Sequence, residues 1–211
     1  MPEEEVQALA DAEAERYPEI EAYFERITLA IEQSTKLTGV KVPHPDFPAK
    51  IVELGRGFHR TPDGKLYSWR QNPAPKYIVE RSGQWASYAP PEVRNYCVQG
   101  GGAEWAKAAM WLAVRAFYKL RNFEGRAVLV NQVHDAVYAD AAEEVAPKAA
   151  ALLHVAMEHA SPFIESYFNW PQPVYVPSDT TWGASMIEEK KPEGMADHLP
   201  WATQLVESFY K

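Results

Sequence analysis

The chain has 211 residues, of which 46% are hydrophobic, and it carries 29 acidic and 21 basic side chains. This composition excludes a disordered chain, and the lack of any apolar run of about 18 residues excludes a membrane-spanning helix. The acidic N-terminal sequence has no hydrophobic signal region, and the single cysteine, Cys97, cannot form an intrachain disulfide. We therefore expect a cytoplasmic protein of one large domain or two small ones.

Charge is distributed unevenly along the chain. Residues 1–35 contain 10 acidic and two basic residues and carry a net charge of −8. Residues 36–130 carry +8, from 15 basic and seven acidic residues, and residues 131–211 return to −8. A basic middle between acidic ends is typical of a phosphate-binding surface on an acidic protein, although a solvated charged face explains the same pattern.

The first half of the chain changes character near residue 36. Residues 3–35 have the apolar spacing of an amphipathic helix, which Tyr17-Pro18 divides into two because proline disfavours helical geometry in the residue before it. From Thr38 to Pro91 eight prolines predict a loop-rich segment with short strands. Within it, residues 61–69 predict a hairpin around Asp63-Gly64.

Pro90-Pro91 precedes a second helical pattern, in which apolar residues recur every three or four positions up to Leu120. Gly100, Gly101 and Gly102 lie near its start, and each interior glycine costs about 1 kcal/mol relative to alanine. Either the helix contains these glycines because a ligand or another backbone must approach closely, or it begins only after Gly102.

An apolar stretch rich in β-branched residues runs from Ala127 to Val133 and resumes at Val137. It predicts a well-buried strand and a β-hairpin whose tight turn points Asp135 outward, with His134 beside it. A carboxylate at the end of a buried strand is tolerated when it is hydrogen-bonded, paired or bound to a metal. A metal site and a plain turn, in which aspartate is common, both fit this stretch.

The C-terminal third predicts two helices and one strand. A helix is expected from Ala141 to about Ala160, a short edge strand at 173–177 between two prolines, and a terminal helix around residues 201–209. His154 and His159 are poorly spaced for binding one metal ion, so packing or surface roles are expected. Helix, hairpin, helix and strand together indicate an α+β fold with a small antiparallel sheet and packed helices.

Three segments of the chain carry recognisable motifs, namely Asn95–Met110 (NYCVQGGGAEWAKAAM), Gln132–Asp135 (QVHD) and Val174–Gly183 (VYVPSDTTWG). In this order they resemble segments of family A DNA polymerases. In that family the first segment reads N-x-P-x-Q-G-x-A-A-D-x-x-K-x-A-M, the second is motif C, Q-V-H-D-E, and the third is similar to the closing strand. Tyr17–Tyr23 is similar to the helix that follows the nucleotide-binding helix of the fingers. The resemblance covers most of residues 10–185, and residues 38–91 match only loosely.

The resemblance implies a palm-like sheet with packed helices at residues 92–211 and a partial fingers segment at residues 1–91. Asp135 would be one of two carboxylates that hold two catalytic Mg²⁺ ions, and His134 would lie next to the primer terminus. Asn95 and Gln99 would contact the minor groove, with Arg94 and Lys107 as further DNA-binding residues. The implied substrates are a DNA primer-template and deoxynucleoside triphosphates (dNTPs).

Two departures from the family pattern matter for activity. Ala136, Cys97 and Glu104 replace the usual glutamate, proline and aspartate. Motif A, which supplies the second metal carboxylate, and motif B, which binds the triphosphate, are both missing. The resemblance therefore implies a split polymerase of phage type, active in the host cytoplasm only with a second chain that carries motifs A and B. The alternatives are an inactive palm-like module that binds DNA or a partner protein, and a metal phosphohydrolase built on the dipeptide His134-Asp135.

Overall fold

The computed structural model describes residues 3–61, 64–169, 175–185 and 190–211. It is an α+β structure, 52% helical and 22% strand, in which helices pack with small antiparallel sheets. The predicted fold class is therefore confirmed at this level. Every helix in the described part of the chain is too short or too polar to cross a lipid bilayer.

The chain divides into two compact units, Met1–Gln99 and Gly100–Lys211. The division lies inside the long helix α4 (Pro90–Lys119), eight residues beyond the boundary predicted from the sequence at residue 91. Each unit has its own hydrophobic core.

The first unit begins with two helices, α1 (Glu3–Arg16) and α2 (Pro18–Gln33). Tyr17 separates them with non-helical backbone angles, which confirms the predicted break. Pro18 is tolerated because it occupies the first turn of α2, where no intrahelical partner is needed for the backbone nitrogen.

A three-stranded antiparallel sheet follows, with β1 (Lys36–Pro43), β2 (Ile51–Arg60) and β3 (Leu66–Arg70) adjacent in that order. The hairpin of β2 and β3 confirms the prediction for this region, although Pro62 and Asp63 lie outside the described residues. The strands are longer than predicted, since β1 has 8 residues and β2 has 10. A second small sheet pairs β4 (Asn72–Pro73) with β5 (Ala86–Ser87).

Helix α3 (Lys76–Ser82) lies in the segment predicted to contain only loops and strands, so that prediction was wrong there. It starts directly after Pro75 and ends at Gly83, which has the positive φ common at helix ends. The core of this unit consists of buried residues from α2, β3 and the start of α4, namely Ile27, Ile31, Trp69, Val93 and Cys97.

Helix α4 includes all three glycines, so the alternative start after Gly102 was wrong. A methyl group added at Gly101 or Gly102 would meet no atom within 4 Å. Close packing inside the chain therefore does not require glycine at these two positions. A short turn, α5 (Arg121–Gly125), leads from α4 into the next strand with positive φ at its first four residues.

The second sheet contains β6 (Ala127–Val133) and β7 (Ala136–Ala141), the predicted hairpin. The prediction that β6 is well buried was wrong. Ala127 is buried, but Val130 is 57% and Val133 46% exposed. The reason is that the described residues form only a two-stranded sheet here, with one face packed on the core and the other uncovered.

The remaining helices are α6 (Ala146–Glu158), α7 (Ala160–Phe168), a 3₁₀ turn (Met195–His198) and α8 (Leu199–Glu207). The terminal helix was predicted, whereas α6 starts five residues later than expected because Ala141 belongs to β7. The separate helix α7 was not predicted. The core of this unit gathers buried residues of α4, α6 and α8, including Leu112, Phe117, Leu152, Ala156 and Val206.

Candidate functional site

The turn between β6 and β7 consists of His134 and Asp135 alone. The last ladder pair, Val133 with Ala136, closes directly behind them. His134 has a φ of 54°, a conformation that side chains other than glycine seldom adopt and that two-residue hairpin turns require. The Gln132 side-chain amide donates a hydrogen bond to the His134 carbonyl oxygen at 3.2 Å and holds the turn in place.

Both turn side chains are exposed. Within the described part of the chain, the Asp135 carboxylate has no hydrogen bond and no ion pair, so it is accessible to a cation. The described residues contain no group of three His, Cys, Asp or Glu side chains that would hold a metal ion. Asp135 is therefore a single carboxylate, and this chain does not supply a complete metal cage among its described residues.

Asn95 and Gln99 lie four residues apart on α4, in the first unit, and both side chains are exposed. Residues at this spacing share one face of a helix. The buried residues Val93 and Cys97 anchor the same helical turns in the core of the unit. The two amides are thus held by a rigid element and face solvent, as a contact with an external ligand would require.

Arg94 lies against α2, in an acidic environment. Its guanidinium is 3.7 Å from a Glu21 carboxylate oxygen and 5.2 Å from the centre of the Phe24 ring. Glu25 and Glu32 line the same surface groove. Because Arg94 is paired with Glu21 and two further glutamates line the same groove, the surroundings disfavour a phosphate there, and the assignment of Arg94 to DNA binding stays a prediction.

Lys107 lies on α4 in the second unit, where its ammonium group is 2.9 Å from a carboxylate oxygen of Glu104. The lysine side chain is 67% exposed. The Glu104 side chain is only 16% exposed, so a phosphate at Lys107 would have to compete with a half-buried carboxylate. The assignment of Lys107 to DNA binding stays a prediction.

The segment compared with the closing strand of the polymerases does not form a strand between Tyr175 and Thr181. Pro173 and Val174 lie outside the described residues, and Trp182 makes an isolated bridge with Lys190. The segment is instead attached to α6 by side chains. The Tyr175 hydroxyl donates to Glu158 at 2.8 Å, and His154 is hydrogen-bonded to Thr180 at 3.1 Å. His154 has the packing role expected from the sequence.

The sequence-predicted residues therefore form two groups. Arg94, Asn95 and Gln99 lie together on one helical stretch of the first unit, while Lys107, His134 and Asp135 belong to the second. The bond from Gln132 to the turn was not predicted, and glutamine two residues before the histidine was its only signal. No family model, no curated protein and no solved structure matches this chain.

Proposed function

We propose that this chain is the C-terminal subunit or fragment of a family A DNA polymerase, completed by a second chain that carries motifs A and B. Its substrates would be a DNA primer-template and dNTPs, and the reaction would be template-directed nucleotidyl transfer. The proposal rests on the resemblance of residues 95–110 and 132–135 to that family and on the shape of the hairpin that carries Asp135.

The hairpin is the observation that carries the proposal furthest. A two-residue turn places Asp135 at the tip of a rigid antiparallel pair, exposed and without a partner among the described residues. A carboxylate required only for a turn commonly accepts a hydrogen bond from the backbone two residues on. Such a bond is not present at Asp135 in the described structure, which favours a role toward an external cation.

The metal site would be shared between two chains. One carboxylate does not hold two Mg²⁺ ions, and the described residues do not supply the others. When bound, the two Mg²⁺ ions would activate the primer hydroxyl and stabilise the leaving pyrophosphate. In this chain, Asp135 would provide a single ligand and His134 would lie beside the primer terminus, while the partner would provide the second carboxylate.

Asn95 and Gln99 would contact the primer-template in the minor groove. Acceptor atoms at purine N3 and pyrimidine O2 occur there in every base pair, so amide donors recognise pair shape rather than sequence. Their exposure and common helix face fit this role. Lys107 would contact the DNA backbone through its positive charge. Added salt would weaken that contact.

A catalytically inactive palm-like module that binds DNA or a protein partner is the second candidate, supported by the missing motifs and by Ala136. The hypothesis of a metal phosphohydrolase fits the structure less well. His134 and Asp135 lie in a hairpin turn, and the described residues lack the further His and Asp ligands that such a metal centre needs.

The deciding experiment is purification of the chain from its native source, followed by primer extension. The recovered material is incubated with an end-labelled primer-template, four dNTPs and Mg²⁺, beside the recombinant chain alone. We expect a second polypeptide to co-purify and only the complex to extend the primer. A folded chain that is recovered alone and does not extend the primer would favour the inactive module.

A further inference from the structure

Three basic side chains form one row across the sheet of the first unit. The ladder pairs Lys36 of β1 with Arg56 of β2, and Arg56 in turn with Arg70 of β3. Residues paired directly across antiparallel strands point to the same face, so these three lie side by side. We call Lys36, Arg56 and Arg70 the cationic row.

The cationic row lies on the face of the sheet away from α2. The neighbouring residue Gly57 alternates to the opposite face, where an added methyl group would lie 2.4 Å from the Ile31 carbonyl oxygen of α2. All three basic residues are exposed. They have no ion pair or hydrogen bond from their side chains among the described residues.

No contact among the described residues explains why three cations lie side by side in this sheet. Like charges directly opposite in a sheet are destabilising, by up to about 1 kcal/mol per pair. Here two such pairs are adjacent, and no described carboxylate neutralises them. A row that lowers the stability of the sheet and has no partner in the described part of the chain indicates an external anion.

We propose that the cationic row binds the sugar-phosphate backbone of a nucleic acid strand. Adjacent strands of a sheet are about 4.8 Å apart, so the row presents three cations over roughly 10 Å. A nucleic acid strand carries one phosphate per ~3.4 Å of rise, a linear array of comparable density. The guanidinium groups of Arg56 and Arg70 suit the phosphate oxygens, which they bind bidentately.

The neighbours of the row favour a nucleic acid strand over an acidic peptide. Phe58 and its cross-strand partner Ser68 are the next pair on the same face, followed by Arg60 and Leu66. A partly exposed aromatic ring offers a surface on which a base stacks, and a hydroxyl group donates to phosphate. The inference rests on the proposed function only in naming that strand as DNA.

The test is equilibrium binding of a fluorescein-labelled single-stranded oligonucleotide to the full chain, followed by fluorescence anisotropy over a range of salt concentrations. Each phosphate contact contributes roughly −0.7 to the slope of log K against log salt for single strands. We expect the double variant Arg56→Gln/Arg70→Gln to lose about 1.4 from that slope and to bind at least about tenfold more weakly at 0.1 M salt.

Lys41→Gln is the matched control, because Lys41 is exposed on the same strand as Lys36 but pairs with Glu53 on the opposite face. It should bind within about twofold of the native chain, since no row contact is lost. Arg56→Lys/Arg70→Lys keeps the charges and should keep the salt slope, which separates charge loss from unfolding. Unchanged binding by the glutamine variant, or equal loss in Lys41→Gln, would overturn the proposal. Displacement of the oligonucleotide by polyglutamate as readily as by unlabelled DNA would overturn it too.

The outcome separates this inference from the proposed polymerase activity. Binding to the oligonucleotide needs neither Mg²⁺ nor a second chain, so it is measured on this chain alone. Loss of binding in the row variant with no primer extension by the purified complex would uphold the row and reject the polymerase. Extension by the complex with normal binding in the row variant would uphold the polymerase and reject the row.

Discussion

His134 provides the backbone geometry of the hairpin turn, and Asp135 provides its exposed carboxylate. His134 takes the positive φ of 54°, at a cost of roughly 1–2 kcal/mol for a residue other than glycine. Glycine or asparagine would remove most of that cost. A strained residue beside a carboxylate that has no partner among the described residues is the pattern expected where position matters more than local stability.

Asp135→Ala tests the role of the carboxylate directly. Because the proposed metal site would lose one of its few ligands, extension by the assembled complex should fall by several orders of magnitude while assembly is unchanged. Asp140→Ala is the control, since Asp140 is an exposed aspartate of the same hairpin, paired with Val128 away from the turn. Substantial residual extension by Asp135→Ala would refute the metal assignment.

Gln99→Ala tests the minor-groove contact. Loss of one hydrogen bond, worth about 0.5–1.5 kcal/mol, should lower primer extension roughly three- to tenfold and reduce the discrimination against mismatched pairs. The fold should be unaffected because Gln99 is exposed. Gln84→Ala, an exposed glutamine in the first unit, should change neither rate nor fidelity; equal effects of the two variants would exclude a specific contact.

His159 makes the stability of the second unit depend on pH. Burial lowers the pKa of His159 below its usual 6.5, and its Nδ1 is 2.7 Å from the Tyr210 hydroxyl. Burial also raises the pKa of Tyr210 to about 12, so that hydroxyl keeps its proton at neutral pH. Because the unfolded chain binds the histidine proton more readily, stability is lost as the pH falls below about 6.5.

Thermal unfolding should therefore occur at a lower temperature at pH 5.5 than at pH 7, and His159→Gln should reduce that difference. Part of the difference should remain, because burial also lowers the pKa of His59 in the first unit. If the native chain and His159→Gln show the same change with pH, His159 is not the titrating group.

At the scale of elements, long periodic patterns of apolar residues were sufficient to predict a helix or strand, whereas short patterns were not. The helices α2, α4 and α8 and the β6–β7 hairpin follow from apolar spacing and from the proline that begins or interrupts each helical pattern. Helix α3 has only 7 residues, fewer than the roughly 11 over which helical period is recognised. Pro162, in the first turn of α7, signals the break at His159 between α6 and α7, but the 9 residues of α7 are too few to show a helical period.

Only those features of the candidate site that depend on residues close together in the sequence could be predicted. The turn at Asp135 follows from adjacent residues, whereas the roles expected of Asn95 and Gln99 come from the resemblance to a polymerase motif. The cationic row was not predicted, because Lys36, Arg56 and Arg70 are far apart in sequence and become neighbours only through strand register. The exposure of β6 was also unpredictable, since an apolar strand reveals nothing about how many faces are covered.

Alanine substitutions in α4 test whether packing requires glycine at these positions. Gly101→Ala and Gly102→Ala should each raise the free energy of unfolding by about 1 kcal/mol, because the added methyl groups meet no atom within 4 Å. Gly57→Ala should instead destabilise by about 1–3 kcal/mol, since its methyl group would collide with the Ile31 backbone. Chemical denaturation of the three variants measures both effects, and a destabilised Gly101→Ala or Gly102→Ala would show that packing requires glycine.

At the scale of the whole molecule, uncovered apolar surface is prominent. Helix α4 of the second unit exposes Trp111 at 38%, Val114 at 49% and Tyr118 at 83%, spaced three and four residues apart as one helical stripe. Contiguous apolar surface of this kind on a folded domain marks a contact with another molecule. The proposed second chain is the partner that this surface would meet.

Val114→Lys/Tyr118→Lys should abolish co-purification of that second chain while the helix content and the thermal midpoint stay near native values. The reason is that both side chains are exposed, so the change affects the surface more than the core. Glu124→Lys, at an exposed residue outside the stripe, should still co-purify. Normal recovery of the partner with the double variant would mean that the stripe is not the interface.

The uncovered face of β6 has a consequence for the chain during synthesis. Residues 127–133 are uncharged, contain no proline or glycine and are rich in β-branched side chains, and in the described structure β6 pairs only with β7. Such segments with open edges recruit identical strands from neighbouring molecules and seed insoluble fibres. We therefore expect this chain to aggregate when it is expressed in excess of the proposed second chain.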